Sequence, residues 1–70
     1  MKARQAIEYL RMIPPEEPVF VLRAQDELAV KAIEFWAEEL EKQDGRSGKV
    51  AGARMVADEF RGWPIKKKPD

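Results

Sequence analysis

Seventy residues contain no cysteine and no histidine, and 13 basic side chains balance 13 acidic ones. This composition excludes disulfides, zinc sites of the Cys/His kind, haem or iron–sulfur clusters held by those residues, and any Ser-His-Asp or Cys-His nucleophile. Zero net charge argues against a non-specific nucleic-acid binder, which needs a basic excess, and a chain this short buries only about 60% of its unfolded surface, so oligomerisation is the staple left to it.

Residues 2–13 read as a helix, because Ala3, Ala6, Ile7, Leu10 and Ile13 fall on one stripe with Lys2, Arg4, Glu8 and Arg11 opposite. Tyr9 and Met12 flank that stripe. Pro14-Pro15 stops the helix, and Pro14 also biases Ile13 away from helical dihedrals.

Residues 18–23 are extended, and Val19-Phe20-Val21-Leu22 has the β-branched and aromatic content of a strand. A lone strand leaves its backbone groups unsatisfied. Either it pairs with the same segment of a second copy, or it is an extended linker lying on the helices.

A second helix is expected over residues 26–43, with Asp26 as its N-cap and Glu27 adding favourable charge at the positive end. Leu28, Ala32, Ile33, Trp36, Ala37 and Leu40 form its stripe, widened by Val30 and Phe35. A stripe so wide calls for burial on two sides, against the other helices and against another subunit, and Trp36 belongs in the core or an interface. Glu38 and Lys42 make an i, i+4 pair of favourable orientation.

Asp44-Gly45-Arg46-Ser47-Gly48 is a turn, with Gly45 suited to a left-handed position after the helix end. Its glycine spacing matches no phosphate-binding loop. A third helix is expected over residues 49–62, with Val50, Ala53, Val56, Ala57 and Phe60 as its apolar stripe. Trp63-Pro64-Ile65 folds back as an apolar flap, and the tail over residues 64–70 is made basic by Lys66, Lys67 and Lys68.

The charge balance hides an asymmetry. Residues 26–44 carry seven acids and two bases, and residues 46–68 carry seven bases and two acids. Either the two segments pack together and neutralise each other, or a basic C-terminal face stays open for an anion. No signal peptide is visible, and no run approaches the roughly 20 apolar residues of a membrane span. A soluble, cytoplasmic protein is the expectation.

The run Glu17-Pro18-Val19-Phe20-Val21-Leu22-Arg23-Ala24-Gln25-Asp26-Glu27-Leu28-Ala29 carries a resemblance, together with the tryptophan of the following helix, Ala57-Asp58-Glu59-Phe60-Arg61-Gly62-Trp63-Pro64 and the closing Lys66-Lys67-Lys68-Pro69-Asp70. It resembles a family of short proteins found in phages and prophages of bacteria, over about residues 14–70. The resemblance implies a context more than an activity. Small accessory phage proteins without an enzyme signature act by binding a host protein, a host defence complex or a nucleotide signal of defence, and those that sequester cyclic nucleotides do so as small homo-oligomers.

The expectation is therefore an all-α fold of three helices with an extended segment between the first two, in a dimer or higher homo-oligomer. The function expected is non-enzymatic binding that antagonises host defence, with no catalytic residue, metal or cofactor and no membrane partner. Its sharper form is a nucleotide sponge. Arg23 can fork onto a phosphate, and Gln25 and Asp26 lie at a helix start, a natural anion site, although helix capping also accounts for both. Arg54, Arg61 and Lys66 can surround a phosphate or instead neutralise the acidic second helix, while Trp63 or Tyr9 stacks on a base. The alternatives are a protein–protein inhibitor docking on a host defence complex through the acidic helix, and a small structural or regulatory phage protein with no ligand.

Overall fold

In the computed structural model, residues 1–45 and 48–68 are described. The centre of the expected turn, Arg46 and Ser47, and the end of the expected tail, Pro69 and Asp70, lie outside them. The described residues make an all-α fold with three helices: α1 (Ala3–Arg11), α2 (Ala29–Asp44) and α3 (Gly48–Gly62). None is long and apolar enough to cross a membrane among the described residues.

The core lies between α2 and α3, the two helices that pack on one another. Its buried residues are small: Ala29 and Ala37 from α2, Val50 and Ala57 from α3. Ile33 and Leu40 of α2 and Ala53, Val56 and Phe60 of α3 are half-buried around them. Alanines at helical spacing keep helix propensity high and let two backbones approach closely.

The wide stripe expected on α2 resolves into two. Ile33, Ala37 and Leu40 turn inward together with Ala29, which the expected stripe left out; Val30 is half-buried, and Leu28, Ala32, Phe35 and Trp36 are exposed. Trp36, expected in a core or interface, is exposed in the single chain because it falls on the outer stripe. A helix advancing 100° per residue separates the two sets onto different faces.

α1 begins with the Lys2 N–H donating to Gln5 Oε1 at 2.8 Å, half of a capping box. It ends at Arg11, earlier than expected, as Met12 and Ile13 donate to Tyr9 and Leu10 carbonyls in a tightening turn. It contains no buried residue and packs on neither α2 nor α3, so its apolar stripe is presented without being covered.

Two local expectations are corrected. Asp26 is not the N-cap of α2, which starts three residues later with Leu28 in the cap position. The Asp26 carboxylate accepts from the Leu28 N–H at 2.8 Å, an Asx-type turn ahead of the helix. The backbone groups beside it pair with the C-terminal segment: Lys67 N–H donates to the Gln25 carbonyl at 2.6 Å and Glu27 N–H to the Lys67 carbonyl at 3.0 Å. Residues 25–27 therefore form a parallel bridge to Lys67.

Gly45 is the second correction. It has φ −66° and ψ −9°, right-handed rather than left-handed. Its value lies in space, since a Cβ there would sit 3.3 Å from the Glu41 carbonyl oxygen.

Residues 18–23, expected to be extended, are neither helix nor strand. Phe20 is 87% exposed, and Val19 and Val21 are also exposed. The whole chain exposes 6169 Å², whereas a folded monomer of 8.1 kDa exposes about 4,500 Å². Its radius of gyration is 13.1 Å, against about 11 Å for a compact 70-residue domain. The excess is apolar in character, for the large exposed side chains include Ile7, Leu10, Phe20, Phe35, Trp36 and Trp63.

Candidate functional site

Five of the eight residues expected to bind a ligand fall in two places, and Tyr9, Asp26 and Lys66 fall in neither. One is an apolar groove of about 700 Å³ between α1, the segment before α2 and the end of α3. Ala3, Ala6, Ile7 and Leu10 supply one wall, because the i, i+3, i+4, i+7 spacing sets them on one side of α1. Val21 and Leu22 supply another, with Phe60 and Trp63 at the end of α3. The polar lining comes from Lys2, Arg23, Gln25 and Glu59.

This groove gathers Arg23, Gln25 and Trp63 from the expected set. Lys2 and Phe60 were not singled out by sequence reasoning as ligand groups. Their placement depends on α1 facing the end of α3, a long-range relation that no local pattern carries. Tyr9, by contrast, is exposed and is not in the groove lining.

The second place is a charged cleft of about 320 Å³ between α2 and α3, lined by Glu34, Glu38, Arg54, Ala57, Asp58 and Arg61. Here the third-helix arginines meet carboxylates. Arg54 Nη1 donates to Glu41 Oε2 at 2.9 Å, and Arg61 pairs with both Glu34 and Asp58. The hydrogen bond to Glu41, reinforced by its charge, raises the Arg54 pKa above its ordinary value. An incoming phosphate would face Glu34, Glu38 and Asp58 in this cleft, so charge complementation accounts for Arg54 and Arg61. The expected Glu38–Lys42 pair is replaced by Glu39–Lys42 at 3.1 Å.

Lys66 is committed elsewhere. Its Nζ donates to the Ala24 carbonyl at 2.9 Å and to the Phe60 carbonyl. One ammonium thus ties the segment before α2 to the end of α3, directly beside the groove, and the Lys67 bridge continues the tie. Asp26 lies behind this tie, spending its carboxylate on the Leu28 N–H.

The Lys66 clamp has a measurable consequence. Lys66→Met keeps the aliphatic stem and deletes the donors. The loss expected is about 1 kcal/mol, because the freed carbonyls can turn to water. Amide exchange at Glu27 and Lys67 should accelerate together, since both belong to the same bridge. Unchanged exchange would mean that the backbone pairing holds the segment without the ammonium.

Comparison with protein-family models, curated proteins and solved structures finds no match to this chain.

Proposed function

We propose that the chain is a phage-encoded, non-enzymatic binding protein that works as a homo-oligomer in the host cytoplasm and antagonises host defence by sequestering a nucleotide. The observation that carries this reading is the groove: about 700 Å³, mostly apolar, with few polar groups among its walls. Small-molecule sites have this size and character, roughly 300–1,000 Å³ with a small number of convergent polar groups.

The chemistry divides naturally among the lining residues. Arg23 and Lys2 supply positive charge for phosphate, Gln25 supplies an amide for a base edge, and Trp63 and Phe60 supply aromatic faces for stacking. The cleft arginines take no part in this reading, because Arg54 and Arg61 are paired with carboxylates. The same pairing weakens the reading as a protein inhibitor docking through the acidic helix, since Glu34 and Glu41 already face α3.

A thermal-shift series against linear and cyclic nucleotides tests the proposal. A ligand present at a hundred times its dissociation constant adds about 2.7 kcal/mol to stability. Arg23→Ala should abolish that increment while leaving the unliganded melting point close to the parent's, because Arg23 is exposed. A flat response across the panel, or an Arg23→Ala variant that binds as the parent does, overturns the reading.

A further inference from the structure

We infer that the outer face of α2 is a self-association surface, on which the helix pairs antiparallel with α2 of a second copy about a two-fold axis at Phe35. This inference rests on the homo-oligomer part of the proposed function and is independent of its ligand.

The face is built by spacing. Leu28, Ala32, Phe35 and Trp36 stand at i, i+4, i+7 and i+8, the pattern of a helix stripe made for burial. Yet Leu28 is 51%, Phe35 65% and Trp36 52% exposed. The neighbouring stripe of the same helix packs on α3, so the apolar arc of α2 is only partly covered.

Area points to a partner of protein size. The surface exposed beyond that of a compact monomer is about 1,700 Å² per chain, and a standard interface takes about 800 Å² from each partner. A small ligand in the groove does not account for that excess, and it does not touch the outer stripe, which contributes nothing to the groove lining.

Charge selects the partner and its direction. Lys31 and Glu39 lie four residues before and four residues after Phe35. Antiparallel pairing about Phe35 therefore sets Lys31 of one copy opposite Glu39 of the other, twice by symmetry. It also sets Leu28 opposite residue 42, where the aliphatic stem of a lysine can cover it. Parallel pairing would oppose Lys31 to Lys31 and Glu39 to Glu39, and would align rather than oppose the helix dipoles. Glu39 already accepts from Lys42, but a carboxylate has two oxygens and takes a second donor.

Sedimentation equilibrium of the full chain, with helicity checked by circular dichroism, tests the arrangement. The parent should be a dimer in the micromolar range. Phe35→Glu places like charges at the axis and should leave a helical monomer. Lys31→Glu and Glu39→Lys should each weaken the dimer by about tenfold, since two attractive pairs become repulsive in each case.

Mixing those two single variants should restore dimers, because each mixed pair regains both opposite-charge contacts. A monomeric parent overturns the inference. So does a mixture no tighter than its components, or a dimer that survives Phe35→Glu and dissociates on Ile7→Glu in the groove. Each of these results leaves nucleotide binding to be judged by its own thermal shift.

Discussion

Ala37→Asp should remove most or all of the stability of the fold. Ala37 is 1% exposed at the centre of the α2–α3 contact, where the other buried groups are two alanines and a valine. None of them can hydrogen-bond a carboxylate, and an uncompensated buried charge costs about 3–5 kcal/mol. A domain of this length has a total stability of roughly 4–10 kcal/mol, so the substitution removes a large share of it or all of it.

Ala51→Asp is the matched control. Ala51 is exposed in the first turn of α3, where an acidic side chain meets the positive end of the helix, and the expected change stays within about 0.5 kcal/mol. Ala37→Leu should fall between the two, at about 1–3 kcal/mol, through overpacking. Thermal melts followed by circular dichroism at 222 nm check the series. An Ala37→Asp chain that melts within a few degrees of the parent would mean that the α2–α3 contact does not hold the fold.

The melting temperature should fall by about 5–10 °C when the protein is diluted a hundredfold. If folding and association are coupled, dilution shifts the equilibrium by about 2.7 kcal/mol per dimer, and a unit of that size moves about 2–4 °C per kcal/mol. The expectation follows from how little a single chain buries: α1 has no buried residue, and among the described residues the buried set is three alanines and a valine. Phe35→Glu should remove the concentration dependence together with part of the stability. A melting point independent of concentration would mean that the single chain is stable with its apolar faces open.

Helix positions were largely legible in the sequence because their signals are local. The 3.6-residue spacing of Ala3, Ala6, Ile7 and Leu10, the proline pair at 14–15 and the stripe of α3 all act within a few residues of themselves. The opposite charges of residues 26–44 and 46–68 were legible too, and their packing alternative is realised in the Arg54–Glu41 and Arg61–Glu34 pairs. The candidate site was legible only in part. Arg23, Gln25 and Trp63 come together beside Phe60, but Lys2 and the apolar wall of α1 join them from the other end of the chain.

Composition by itself removed cysteine and histidine chemistry, and periodicity by itself specified helices with apolar stripes. Tertiary structure decided which stripe is covered. Of the residues grouped as one wide stripe, Ile33, Ala37 and Leu40 turn inward beside Ala29, Val30 is half-buried, and Leu28, Ala32, Phe35 and Trp36 stay outside, because one neighbouring helix can cover only one side of a cylinder. It also decided the start of α2. Asp26 has the chemistry of a helix cap, but its carboxylate closes a turn on the Leu28 N–H while Lys67 pairs with the backbone on both sides of it, a contact with the far end of the chain that no local pattern carries.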